Sequence, residues 1–420
     1  MIDKSMERYS EYKDSGEQWL GEIPRHWEVK RLGNFLTLFS EKGFPNSHLL
    51  SVTREKGVIL RGKDDKEENH NYVPDDLSGY KHIYKGDFVI NKMKSWQGSY
   101  GVSPFEGIVS PAYFTCKLHG VNKDFFSCAI RAQIYTAFFM RYSKGIRVDQ
   151  WDLEPTAMKS IPFILPPLPE QSAIVAYLDR VTSQLDEAIA QQRRMIDLLN
   201  ERKQIIIQHA VTKGLDPKAE MVDSGVEWIG MMPRGWKCMP LKRCCSLIRT
   251  KASNNQVNRI SLENIVSWKG SFAKTDSIYE GNGILYKKGD ILFGKLRPYL
   301  AKVLLAESEG EALGDFWVMR PNDFVLPNYV KFIFLCYSLI ELIDSTTYGA
   351  KMPRADWNAN SKTLIPIPPI AVQHKICEYI DQMIDYTNSV ISKNEHRISL
   401  LRERKQIIIN EVVTGKVRVS

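Results

Sequence analysis

The chain of 420 residues is 43% hydrophobic and 25% charged, which argues against wholesale disorder and allows two or three domains, each with its own core. Lys and Arg total 57 against 49 Asp and Glu, and the net charge of +8 permits a nucleic-acid partner without demanding one. Seven cysteines, none in a CxxC pair and none with a His at metal-ligand spacing, argue against a disulfide or zinc framework and for a reduced chain. From the N-terminus, MIDKSMERYSEYKDSGEQW is polar and carries no signal-peptide core. No run of about 18 apolar residues follows, since the best stretch, Tyr329–Ile343, is broken by Lys331, Ser338 and Glu341. The expectation is a cytoplasmic protein with no membrane segment.

DSGEQWLGEIPRHW (14–27) opens a framework whose tryptophans, Trp19 and Trp27, read as core. A segment of mixed α/β pattern runs from Glu28 to Ser160. Within it GDFVI reads as a strand, Asp124–Tyr142 as one amphipathic helix, and SKGIRVDQW as a Gly-containing basic loop. PFILPPLPEQ is then an extended, proline-led stop from which a helix can start. Apolar residues follow in heptad spacing at Ile174, Leu178, Val181, Leu185 and Ala188. With no Gly or Pro from Glu170 to Lys213, the helix can run about 40 residues, or about 60 Å, to a stop at Gly214.

The chain then begins again. DSGVEWIGMMPRGW (223–236), with Trp228 and Trp236, parallels 14–27, and a second variable segment runs from Lys237 to Lys362. It contains GDILF, a helical pattern at Asn328–Ser345 and the loop YGAKMPRADW. PIPPIAVQ then leads a second heptad helix that ends at Gly415. ERKQIII recurs letter for letter at 201–207 and 403–409. The whole chain is therefore doubled, two shared frames holding different contents. The fold class expected is α+β: two α/β domains separated by two long helices that pair as an antiparallel coiled coil, a pseudo-twofold internal repeat. Boundaries fall at 1–165, 166–215, 216–366 and 367–420. Gln192 and Asn394, followed by Arg202 and Arg404, put polar groups on the seam. Alternatively the seam shifts onto Ile189, Ile196 and Lys203 and leaves them exposed.

Signatures of catalysis are missing from the sequence. There is no GxxxxGK[ST] loop, no GxGxxG after a strand and no PD…ExK pair. Ser110–Phe114 has some likeness to the [DNS]PP[YF] tetrapeptide of adenine methyltransferases, but without a cofactor loop a buried strand is the better reading. No cofactor or metal is expected on the chain itself.

WLGEIPRHW and WIGMMPRGW, IPFILPPLPEQSAIVAYLD and LIPIPPIAVQHKICEYID, and LLNERKQIIIQHAVTKG and LLRERKQIIINEVVTGK together resemble the specificity (S) subunits of type I restriction–modification enzymes, over essentially the full chain. One departure is Ala371-Val372-Gln373 where the first copy has P-E-Q, which puts the first turn of the second helix in doubt. The resemblance implies a non-catalytic subunit whose two target recognition domains each read half of a split site in double-stranded DNA. It implies two methyltransferase (M) subunits bringing S-adenosylmethionine, and a restriction (R) subunit using ATP and Mg. The alternatives are a self-contained methyltransferase or endonuclease, and a coiled-coil scaffold with protein-binding domains.

The candidate DNA-binding residues follow the shared GD strands and occupy the basic loops. Lys92 and Lys94, and Lys295 and Arg297, would share one face by strand alternation, the alternative being a solvated strand end. Lys144, Arg147, Lys351 and Arg354 suit backbone contact, or else a capping or partner-facing loop. Trp96 and Gln97 offer a wedge and an adenine-reading amide, or an ordinary turn with a buried Trp.

Overall fold

In the computed structural model the described residues are 7–62, 73–145, 151–252, 258–275, 281, 283–349 and 351–419. The chain divides into two compact units, one formed by residues 1–191 with 397–420 and the other by 192–396. Both are built to one plan.

In the first unit, strands Leu36–Phe39, Phe114–Leu118, Phe88–Ile90 and Tyr100–Val102 form a four-stranded antiparallel sheet in that spatial order. In the second, Cys245–Ile248, Phe316–Pro321, Ile291–Gly294 and Val303–Leu305 repeat the order and the sense of pairing. Each module is closed by a strand pair joining its beginning to its end, Glu28–Arg31 with Pro162–Leu165 and Lys237–Pro240 with Leu364–Ile367. The expected GD strands are therefore central strands of the two sheets.

The aspartate of each GD serves the fold. Asp87 accepts the Tyr84 N–H at 2.8 Å and pairs with Lys117 Nζ at 2.8 Å. Asp290 accepts the Lys287 N–H at 2.8 Å and both Nε and Nη2 of Arg320 at 2.7 Å. Gly86 and Gly289 sit at φ +89, the left-handed conformation this turn needs.

The stretches read as single helices are each broken in two, Lys123–Ile130 and Gln133–Tyr142, then Pro327–Ile333 and Tyr337–Ser345. At the first break Ala132 turns extended, and the Arg131 guanidinium satisfies the carbonyls of Tyr100, Arg54 and Glu55 at 2.7–2.8 Å. The helices that begin after the breaks are capped from the long helices. Asn410 Oδ1 accepts the Gln133 N–H at 2.8 Å, and Gln208 Oε1 accepts the Ser338 N–H at 3.2 Å. Gln208 and Asn410 are the residues immediately after the two ERKQIII phrases. Tertiary capping of this kind leaves no local trace in the sequence.

The long helices run Leu168–Lys213 and Ile370–Val413, so the second copy keeps its first turn despite lacking P-E-Q. The glutamine kept in both copies explains this. Gln171 is 1% exposed, donates to Pro166 O and accepts the Asn122 N–H. Gln373 is fully buried, donates to Pro368 O and accepts the Leu326 N–H. Gln373 also donates to Phe324 O, so at roughly 1 kcal/mol per net bond the sets are worth about 2 and about 3 kcal/mol.

Both units contain a segment of each long helix. In the first, Lys405 Nζ meets Asp186 Oδ2 at 2.6 Å; in the second, Lys203 Nζ donates to Asn388 Oδ1 at 3.1 Å. Asp186 and Asn388 are equivalent under the repeat, as are Lys203 and Lys405. The same contact is thus made with the roles of the helices exchanged, as an antiparallel pair requires. Both alternatives for the seam are partly realised. Asn394 is 9% exposed, but Arg202 and Arg404 face solvent, and Ile189, Ile196 and Lys203 turn inward. The phrase is repeated because its lysine crosses to the other helix, while its third isoleucine in the first copy (Ile207) and second in the other (Ile408) are buried.

Of the framework tryptophans, Trp27 and Trp228 are buried and Trp236 packs against the core of its unit, but Trp19 is 60% exposed beneath the Arg141 guanidinium. Its neighbour Leu20 is buried, as is the equivalent Ile229 in the second unit. All seven cysteines are free; burial pushes the thiols of Cys116, Cys336 and Cys377 up to about 12, which makes them inert packing groups.

Candidate nucleic-acid interface

The two candidate sets in each module meet at one main-chain junction. In the first module the Lys92 carbonyl, just past the GD strand, accepts the Leu153 N–H at 3.2 Å from the far side of the basic loop. In the second, the Lys295 carbonyl accepts the Ala355 N–H at 2.9 Å in the same way. A short antiparallel pair holds each loop, Ser143–Lys144 with Asp152–Leu153 and Tyr348 with Arg354.

The side chains on this junction differ between modules. Lys92 Nζ is paired with Asp152 Oδ2 at 2.8 Å, while Lys94 and Lys144 are exposed. Trp96 donates its indole N–H to Met93 O at 3.2 Å, and its ring lies 5.1 Å from that of Trp151. Trp96 and Gln97 are half-buried on a turn of 3-10 helix, Ser95–Gln97. Arg147 lies outside the described residues. In the second module Arg297 and Lys351 are exposed, and Asp315 gathers Lys295 and Arg354 around one carboxylate. Tyr348, which pairs with Arg354, is exposed, as are Tyr299 and Met352 of the neighbouring segments.

Strand alternation does not place the basic pairs. The first strand ends at Ile90, and Lys92 and Lys94 occupy a turn closed by the Lys94 N–H on Asn91 O at 3.0 Å. Arg297 stands in the left-handed region at φ +52, its N–H donated to Pro353 O at 2.8 Å. The half-exposed ion pair of Lys92 with Asp152 is worth about 0–1 kcal/mol, so Lys92 can be released to an incoming anion. The Ser110–Phe114 stretch is a tight turn, Tyr113 N–H to Ser110 O at 3.0 Å, that becomes strand only at Phe114.

Sequence reasoning missed the hairpin tips beside these junctions. Arg54, Glu55 and Lys56 form an exposed tip between strands Leu50–Thr53 and Gly57–Leu60, fastened by Arg131. In the second module Trp268, at φ +61, donates its N–H to Ala301 O at 3.3 Å and stacks on Tyr337. The signal available for the first was the polar, Gly-ended phrase TREKG between two apolar runs.

What the two modules share is a four-stranded antiparallel sheet, closed off by a separate strand pair and carrying a basic junction, on a frame of long helices. Residues 24–194 and 233–399 match the family described as the type I restriction modification DNA specificity domain. The chain belongs to that family, and contains its domain twice. It is 23% identical over 431 residues to the type I restriction enzyme MjaVIII specificity subunit of Methanocaldococcus jannaschii, with 95% of this chain and 94% of the relative covered. It is 20% identical over 276 residues to the EcoDI specificity subunit of Escherichia coli, covering 60% of this chain and 62% of the relative. A chain from a solved structure concerning complex assembly and conformational transition of the type I R-M system has the same fold, with a TM-score of 0.63 at 15% identity over 93% of this chain and 98% of that one.

The protein is a DNA sequence-recognition subunit with two recognition domains, which suits a bipartite site; catalysis belongs to the other subunits of such systems. Among the described residues no helix is long and apolar enough to cross a membrane, and no three His, Cys, Asp or Glu side chains group as a metal site.

Proposed function

We propose that the junction in each module is its DNA-facing edge, each edge reading one half-site. Lys92, Lys94, Trp96, Gln97 and Lys144 act for the domain spanning 1–165, with Arg147 on the same loop; Lys295, Arg297, Lys351 and Arg354 act for 216–366. The observation that carries this reading is one conserved main-chain bond, Lys92 to Leu153 and Lys295 to Ala355, bearing different charged groups in the two copies. A shared frame with exchanged side chains is what two unlike half-sites require. In the test, Lys92→Ala is expected to weaken binding to duplex DNA several-fold and to flatten the salt dependence by about one unit of slope. Unchanged affinity and slope would remove Lys92 from the interface.

The helices (166–215 and 367–420) act as ruler and dock. Leu198 and Ile205 are each 60% exposed, one heptad apart, and their repeat equivalents Leu400 and Ile407 are 50% and 41% exposed. One apolar stripe presented twice suits a partner present twice, here two methyltransferase subunits carrying S-adenosylmethionine; a restriction subunit using ATP and Mg completes the assembly in the cytoplasm. Leu198→Asp with Ile205→Asp should reduce the complex from two methyltransferase subunits to one by native mass, with DNA binding by the specificity chain retained. A full complement would reject the stripe as the dock.

A further inference from the structure

Arg354 is gripped along one edge by a single carboxylate oxygen. Asp315 Oδ2 accepts from Nε at 3.1 Å and from Nη2 at 3.0 Å, while Oδ1 lies 3.6 Å from Lys295 Nζ. The Asp315 side chain is 24% exposed and that of Arg354 39%, and among the described residues nothing is bonded to Nη1. The backbone is held as well. Tyr348 and Arg354 exchange N–H···O bonds in both directions at 3.1 and 3.0 Å, and Pro353 O accepts the Arg297 N–H.

A guanidinium held at its Nε edge loses rotation about its own stem. It keeps Nη1 and the outer N–H of Nη2 as two parallel donors directed away from the carboxylate. Two parallel donors in a fixed plane match the O6 and N7 acceptors of guanine in the major groove, the pairing that arginine makes there. A phosphate contact would be poorly served by the same arrangement, because Asp315 adds a negative charge beside the anion and Coulomb repulsion opposes it. We infer that Arg354 reads a guanine in the second half-site and that Asp315 is its positioning residue. This rests on the DNA-reading role proposed above for the junction.

Among its described residues the first module lacks the device. Leu153 plays the part of Ala355, so Asp152 stands where Arg354 does, and it accepts Lys92. Phe114 pairs with Ile90 as Trp317 pairs with Phe293, so Ala112 occupies the place of Asp315. At those places neither the arginine nor its carboxylate is present among the described residues, and the inference is confined to the second half-site.

The test is the set of sequences methylated by the complete complex carrying wild type, Arg354→Ala, Arg354→Lys or Asp315→Asn. Wild type should show one invariant G·C pair in the second half-site. Both Arg354 variants should relax that position alone, by roughly five- to a hundredfold in base preference. Asp315→Asn should relax the same position more weakly and leave the first half-site untouched. If Arg354→Ala abolishes methylation, Arg354→Lys keeps the charge and must still relax the position. A second half-site with no invariant G·C pair would overturn the inference, as would variants that lower methylation evenly with every base preference kept. A wild-type complex that methylates no bipartite sequence would instead overturn the DNA-reading role itself.

Discussion

Removing one heptad from each long helix is expected to end methylation of the parental sites while preserving both half-site sequences in whatever methylation remains. Seven residues shorten a helix by about 10 Å, the rise of about three base pairs of duplex. The change falls on the element proposed to set the spacing and leaves the reading junctions untouched. Sites modified by the shortened chain should therefore carry the same two half-sites with a shorter spacer, detected by sequencing the methylated DNA. Altered half-sites would show that the helices do more than set distance.

The second large effect lies in the GD motif. Asp290→Ala removes two charge-assisted bonds to Arg320 and the bond that closes the Lys287 turn, from a side chain that is 1% exposed. The half-exposed arginine regains water, which moderates the loss, so a destabilisation of about 3 kcal/mol is expected. Asp87→Ala, with a single lysine partner, should cost about 2 kcal/mol. Denaturant unfolding monitored on each module measures both. A loss below about 1 kcal/mol for Asp290→Ala would mean that the turn is held by other contacts.

The duplication was legible because it is written in identical letters, and the long helices because their heptads run without Gly or Pro. What those letters accomplish was not. Gln171 and Gln373 look like ordinary helix residues until Asn122 and Leu326 are seen to be bonded to them. Gln208 and Asn410 cap helices more than a hundred residues away in the chain, a contact that no local period reports. The helical pattern of Asp124–Tyr142 conceals its break, since Arg131 is a good helix former whose guanidinium reaches one carbonyl of a strand and two of a hairpin tip. Trp19 shows the limit of copying one half onto the other: its equivalent Trp228 is buried and donates its indole N–H to Leu364 O, while Trp19 is exposed, although Leu20 and its equivalent Ile229 are equally buried.

The strand-end cations and the basic loops were legible only as separate candidates, and one hydrogen bond in each module joins them in the structure. Its chemistry was not legible, because the carboxylates that organise it, Asp152 and Asp315, come from different elements in the two copies. The shared Gly-Asp, which drew attention to the neighbouring lysines, proves to be a structural lock.

The most direct test is to sequence the DNA modified by this chain with its methyltransferase partner, before and after residues 28–160 are replaced by those of another specificity subunit. Two short defined sequences at a fixed separation, only one of them changed by the replacement, is the outcome that independent readers on a common frame predict. A single uninterrupted motif, or both parts changing together, would contradict it.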